Sequence, residues 1–240
     1  MSKILFCIPS YRGIIYPAFK ESFERGTKAV ANSGHLVAYR TFKGHSLIPL
    51  VRATIIRDFL STQADILFML DDDLSWGVED MLAMINTEGD VISGAYRLKT
   101  DTVFFPVLPY KDKDKDEQMQ IREDGCVRAE KVAGGFLKIT RDCLTKMCKA
   151  YPEREFEDKA FDGTSKLGCW DFFPVGVHNG IYQGEDYGFC RLWTEIGGEI
   201  WIYPDITFNH YSESGKYYRG NYWQYLKETV LKLEPLPAMV

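Results

Sequence analysis

The chain has 240 residues, of which 45% are hydrophobic and 26% charged, with a formal net charge of −5. That is enough apolar material for a sizeable α/β core and excludes a globally disordered chain, while the acidic balance argues against a general nucleic-acid binder, which needs a basic face. No stretch approaches the roughly twenty apolar residues of a membrane helix, and the opening run Ile4–Ile8, stopped by Pro9, is too short for a secretion signal, so a cytoplasmic protein with no integral membrane contact is expected. The six cysteines include no Cys-x-x-Cys pair, which reads as reduced thiols rather than a zinc site.

Ile4 to Ile8 is a short continuous apolar run, the pattern of a strand buried on both faces. Pro17 to Ser33 places Phe19, Phe23, Ala29 and Val30 at helical spacing, with Gly34 as the stop. Leu36 to Phe42 reads as a second strand. Leu50 to Gln63 reads as a helix with Val51, Ile55, Ile56 and Phe59 on one face. Ile66 to Leu70 is another buried strand and runs straight into Asp71-Asp72-Asp73. A helix over Val78 to Asn86 and a strand over Val91 to Ser93 follow. The alternating charges of Lys111 to Glu117 predict a solvated loop within Tyr110 to Asp124. Lys131 to Ile139 reads as a strand, Arg141 to Ala150 as a helix and Glu153 to Phe173 as polar and irregular. The chain ends in a helix over Glu185 to Ile196, a strand over Ile200 to Tyr203, a loop over Pro204 to Asn209 and a helix over Asn221 to Leu233. The alternation predicts a three-layer α/β/α sandwich on a mostly parallel sheet, whose ligands bind at the carboxyl ends of the strands.

Chemistry concentrates at those ends. Three adjacent carboxylates repel one another, so their placement costs energy unless a cation compensates. In an extended segment Asp71 and Asp73 point the same way, and hard oxygen ligands suit Mg²⁺ or Mn²⁺ bridging to a diphosphate. The plain alternative is a solvated acidic turn. Glu185-Asp186 opens a helix, where a carboxylate can be a simple cap or a fixed general base. Gly134-Gly135-Phe136 allows close backbone approach to a substrate, or is a turn before a strand. His210 is a lone late histidine, and such residues are more often structural than ligands.

The order of these features is more specific than any one of them. Ile8-Pro9-Ser10-Tyr11 ends the first strand. An arginine-bearing helix with Arg52 and Arg57, an Asp-x-Asp after an apolar strand, Gly-Gly-Phe-Leu, Glu185-Asp186-Tyr187-Gly188-Phe189-Cys190 and a late histidine follow. Over roughly Lys3 to His210 this resembles the GT-A glycosyltransferases, and within them the inverting family 2 enzymes. The resemblance implies a single GT-A domain over 1–240: a nucleotide-sugar half to about 100, an acceptor and catalytic half over 101–215, and a lid and helix over 216–240. It implies that Pro9, Ser10, Tyr11 and Arg12 line the nucleotide pocket, with Arg57 and Asp72 near the donor. Asp71, Asp73 and His210 would hold Mn²⁺ or Mg²⁺, and Gly134, Gly135 and Phe136 would border the donor sugar. Asp186, or failing it Glu185, would be the general base. Lys216 and Arg219 would close on the diphosphate, and Trp170 and Phe172 could stack on an acceptor sugar, although aromatics in such a segment more often pack a core.

The implied partners are a nucleoside-diphosphate sugar, with UDP the commonest nucleotide in that family, and an acceptor hydroxyl on a glycan, a small molecule or a hydroxymethylated DNA base. The implied setting is the cytoplasm of a bacterium or a virus-infected cell. The oligomeric state is open. One rival class is a nucleotidyltransferase, although Ile8 to Gly13 lacks the repeated glycines of such a phosphate loop. The other is a binding module without turnover, which would need no base.

Overall fold

The structure is a computed structural model, and it describes residues 1–13, 15–112, 118–159 and 164–230. β1 (Lys3–Ser10), β2 (Leu36–Lys43) and β3 (Ile66–Leu70) pair in parallel with β1 in the middle. The pleat of β1 and β3 divides their side chains between two cores. Leu5, Cys7, Leu67 and Met69 enter one hydrophobic cluster; Ile4, Phe6, Ile8, Phe68 and Leu70 enter the other. α2 (Ile48–Leu60) covers the first with Val51, Ile55, Ile56 and Phe59. α1 (Pro17–Asn32) covers the second with Phe19, Phe23 and Val30. α3 (Asp80–Asn86) joins the α1 side through Met81, Met84 and Ile85. α4 (Arg141–Ala150) and α5 (Glu185–Glu195) join the α2 side. The result is three layers, as the alternation of elements predicts.

The sheet grows beyond β3 by β10 (Phe136–Thr140), β5 (Val91–Gly94), β15 (Ile200–Tyr203), β9 (Val127–Lys131) and β6 (Leu108–Pro109). Its order is β2-β1-β3-β10-β5-β15-β9-β6. Only β10 and β9 run against the common direction, so the sheet is mostly parallel but mixed. β10 lies antiparallel between β3 and β5, with Phe136 opposite Leu70. The entry to β10 therefore sits at the carboxyl end of β3.

Several sequence expectations need correction. The strand expected over Lys131 to Ile139 takes in only the last residue of β9, a crossing over 132–135 between sheet positions, and all but the last residue of β10. The segment Glu153 to Phe173, expected to be irregular, contains the antiparallel pair β11 (Glu155–Lys159) and β12 (Ser165–Trp170), and β13 (Gly176–His178) and β14 (Ile181–Gln183) pair just beyond it. Hydrophobic periodicity missed both because neither buries a full face. The loop expected from Pro204 and the lid expected from Lys216 contain β16 (Thr207–Tyr211) and β17 (Tyr217–Asn221), which form a three-stranded sheet with β4 (Leu74–Ser75). The short pair β7 (Lys111–Asp112) and β8 (Gln118–Met119) sits within the expected solvated loop, whose residues 113–117 lie outside the described ones. The last helix, α6 (Tyr222–Thr229), is capped by the Asn221 side chain, which accepts from Gln224 N at 2.9 Å; residues 231–233 of the expected helix lie outside the described residues. All six thiols are free, five of them buried and Cys148 half-buried. No helix of the described residues is long and apolar enough to cross a membrane.

Candidate active site

The carboxyl ends of β1 and β3 and the start of β10 meet at one edge of the sheet. Asp71 follows β3, and its backbone N–H donates to Gly135 O at 2.8 Å. A Cβ on Gly135 would lie 2.3 Å from Asp71 Oδ2 and 2.4 Å from the Tyr96 hydroxyl. A Cβ on Gly134 would lie 2.5 Å from Asp186 Oδ1 and 2.8 Å from the Arg52 guanidinium. Neither glycine has a left-handed φ, so clearance for these neighbours, rather than backbone conformation, is what requires glycine. The Tyr96 hydroxyl accepts from Gly135 N at 3.1 Å and lies 3.4 Å from Asp71 Oδ2.

Arg52, on the first half of α2, is the buried hub of the site at 2% exposure. Its Nη2 lies 3.0 Å from Asp186 Oδ1 and 3.6 Å from Glu185 Oε1, and its Nη1 donates to Gly134 O at 3.3 Å. The guanidinium also stands over the Phe173 ring at 5.1 Å. Gly184 starts α5 without a side-chain cap, so Glu185 and Asp186 occupy the first helical turn, where the helix dipole favours negative charge. Burial pushes the Asp186 carboxyl up, and Glu185 pushes it further, against the opposing pull of Arg52. Burial likewise pushes Asp71 up to about 6, with Asp73 and Asp186 adding to the rise and Arg52 opposing it.

A backbone ladder brings His210 to the Asp-x-Asp segment. β4 begins one residue after Asp73, His210 pairs opposite Leu74, and Tyr211 N donates to Asp73 O at 2.8 Å. His210 Nδ1 is 2.9 Å from Arg97 O, a contact that orients the ring and aims Nε2 at Asp73. Nε2 faces Asp73 Oδ1 at 3.5 Å, and that oxygen is buried without a hydrogen-bond partner. The other Asp73 oxygen is ion-paired to Lys99. Burial would raise the Asp73 carboxyl, but His210 and Lys99 together hold it below the usual range. Among the described residues no three His, Cys, Asp or Glu side chains already form an ion cage. A carboxylate oxygen without a hydrogen-bond partner beside an imidazole Nε2 still fits a hard cation that takes few protein ligands and completes its shell with phosphate oxygens and water, as Mg²⁺ does. Buried polar atoms rarely lack a hydrogen-bond partner; here Ser10 Oγ, Arg52 Nε, Asp73 Oδ1 and Arg97 Nε have none, and Asp186 Oδ1 has only its ion pair with Arg52.

The remaining expected site residues divide. Pro9 and Ser10 end β1, Ser10 being buried. Tyr11 stands out at 63% exposure, and Arg12 pairs across the mouth with Glu213 at 2.9 Å. Asp72 is half-buried, and burial is the main cause pushing its carboxyl up. Lys216 pairs with Asp101 at 2.7 Å and lies over the Tyr218 ring, while Arg219 is exposed on β17; both sit on a hairpin tied to its neighbours rather than on an open lid. Arg57 does not join the cluster. It pairs with Asp58, and its side chain lies against Gly168 of β12. Arg52, not assigned a role from sequence, takes the central position. Its signal was present as an arginine on the otherwise apolar face of a helix. Phe136 is fully buried against Phe68, Trp76 and Phe208, so it is core rather than a sugar-facing wall. Phe172 is likewise fully buried beneath Trp170, which keeps a partly exposed ring. A separate cavity of about 840 Å³ opens away from this cluster, between Asp90, Lys149 and Trp201.

No family model matches the chain, and no curated protein matches it. Among solved structures it is similar to A197 from STIV, with TM-score 0.52 and 20% identity over 91% of this chain and 94% of that one. The chain shares the fold of that protein. Looser likenesses are to a mannose-1-phosphate geranyltransferase from Thermus thermophilus (TM-score 0.42, 13% identity, 64% of this chain and 62% of that one) and to GalNAc-T7 solved with UDP, GalNAc and Mn²⁺ (TM-score 0.43, 10% identity, 84% of this chain and 41% of that one). At 20% identity the likeness to A197 is one of fold, and the site lies at the carboxyl ends of β1 and β3, the adjacent strands between which the strand order reverses.

Proposed function

We propose that the chain is a glycosyltransferase that moves a sugar from a nucleoside-diphosphate sugar, UDP-linked in the first instance, to an acceptor hydroxyl with inversion. The observation that carries this reading is the convergence of two carboxylate sets on one strand edge: Asp71 and Asp73 with His210, and Asp186 with Glu185 on a buried arginine. Asp186 is the proton acceptor. Its carboxylate is fixed by Arg52 and by the first turn of α5, and its raised affinity for a proton makes it a stronger base than an exposed aspartate. It takes the proton as the acceptor oxygen attacks the anomeric carbon from the face opposite the diphosphate. Asp73 and His210, with Asp71 beside them, would hold a divalent cation, Mg²⁺ or Mn²⁺, which when bound offsets charge on the departing diphosphate. Tyr11 offers an exposed ring for the base, and the loop after β1 walls the nucleotide. Trp170 is the aromatic surface left for an acceptor, whether a glycan, a small molecule or a hydroxymethylated DNA base. A cytoplasmic setting suits six free thiols.

Thermal-shift titration of UDP, GDP, CDP and dTDP, each with and without Mn²⁺, tests the donor class, because a ligand bound to the native state raises apparent stability. One nucleotide should stabilise the chain in the presence of Mn²⁺. If none does under either condition, the reading fails. Asp186→Asn should keep nucleotide binding and lower transfer by about 10²–10⁴-fold. Full transfer by that variant would move the base to Glu185.

A further inference from the structure

Lys99 has no part in the chemistry above, yet its ammonium is placed on the carboxylate assigned to the metal. It pairs with Asp73 Oδ2, while Oδ1 of the same carboxylate faces His210. The loop that carries it is stiffly held. Leu98 N donates to Phe104 O at 2.9 Å, and Arg97 Nη2 donates to the carbonyls of Thr100 and Asp101 at 2.8 and 2.9 Å. Thr100 Oγ1 donates to Thr102 O at 2.9 Å. Arg97 O receives the His210 Nδ1 contact at 2.9 Å, so the loop bearing Lys99 and the histidine facing Asp73 form one unit. The ammonium is not a stray surface contact, since the Lys99 and Asp73 side chains are 33% and 20% exposed.

Charge gives the pairing a purpose. Asp71, Asp72, Asp73, Glu185 and Asp186 crowd this edge, and Arg52 answers only the α5 pair directly. Without a second cation beside Asp73, the mutual repulsion of Asp71 to Asp73 would be eased only by the pull of Arg52 and His210 on Asp71 before a ligand arrives. We infer that Lys99 is an internal counter-cation that occupies Asp73 in the ligand-free cleft and competes with a divalent ion for that carboxylate. A metal-laden donor must displace it, so the cleft stays neutralised until donor arrives. This rests on the metal assignment of the glycosyltransferase reading.

The test is calorimetric titration of Mn²⁺ alone into the full chain, with no nucleotide, for wild type, Lys99→Met, Lys99→Gln and Asp73→Ala. Removing the competitor should tighten Mn²⁺ binding by about fivefold or more in both Lys99 variants, the equivalent of an ion pair worth ~1 kcal/mol. Asp73→Ala should abolish the binding. If Asp73→Ala abolishes it while both Lys99 variants bind as wild type does or more weakly, the competition is overturned and the metal assignment stands. If Mn²⁺ binding survives Asp73→Ala, or no variant binds Mn²⁺, the metal assignment falls and the inference falls with it. Agreement between the Met and Gln variants excludes a folding defect peculiar to either.

Discussion

Gly135 is the residue on which the site's packing turns. Its missing side chain is the space that Asp71 and the Tyr96 hydroxyl occupy. Gly135→Ala should therefore lower unfolding stability by about 1–3 kcal/mol in urea titration, the usual cost of overpacking. A neutral result would mean that Asp71 and Tyr96 move apart freely. Asp71 itself opposes folding at neutral pH. Its carboxyl rises from 3.8 to about 6 in the folded chain, so between those values the folded state holds more protons than the unfolded one. Stability from this group then falls as pH rises through that window. Asp71→Asn should raise the thermal midpoint above pH ~7 by at least about 2 °C and leave it nearly unchanged below pH ~4; equal shifts at both would remove the electrostatic account. Much of this was legible in the sequence as residue order: Asp71 and Asp73 after a buried run, glycines before a strand, a carboxylate pair opening a helix. What each glycine makes room for was not, because that depends on side chains distant in the chain. Phe136 and Phe172 were misplaced for a related reason: an aromatic side chain suits a sugar face or a core equally well, and only the surrounding strands decide.

At the level of elements, α2 carries two arginines with opposite fates. Arg52 faces the sheet and neutralises the head of α5, whereas Arg57 leans on β12 and pairs with its own neighbour. Arg52→Ala would strand two carboxylates and should cost about 3–5 kcal/mol. Arg57→Ala should cost less, about 1 kcal/mol, because Asp58 keeps its second partner Arg40 at 2.9 Å. Chemical denaturation of the two variants separates them, and similar losses would mean that Arg52 is no more central than its neighbour. Helices and the interior strands were readable because their apolar period is long and unbroken. The split between β9 and β10 was hidden by Val132 and Ala133 of the crossing, which read on through two glycines into Phe136 and Leu137 of β10. The pairs β11–β12 and β13–β14 were hidden because apolar residues, Leu167, Val177, Ile181 and Tyr182 among them, stand on exposed positions, so hydrophobicity does not follow burial there.

For the molecule as a whole, the fold class followed from the alternation of strands and helices, while the strand order did not. Nothing local states that β10 returns antiparallel between β3 and β5, yet that reversal brings Gly134 and Gly135 to Asp71 and Asp186. The central strands lie under helices on both faces, whereas the two added hairpins bury little. Amide hydrogen exchange should be slowest in β1, β3 and β10 and fastest in β11 to β14, since protection follows burial. Slow exchange in those hairpins would mean that they are covered by something beyond this chain.

The cysteines bear on how such measurements can be made. Burial pushes Cys7 and Cys190 up to about 12 and Cys126 and Cys148 up to about 11, and it raises Cys143 and Cys169 as well. A thiol reacts as its thiolate, so the six sulfhydryls of the native chain should react slowly with a maleimide at neutral pH, half-buried Cys148 first. A single cysteine introduced at exposed Tyr182 would then outpace them in taking a fluorophore or spin label, whose local motion could be followed without first stripping the protein of its own sulfur.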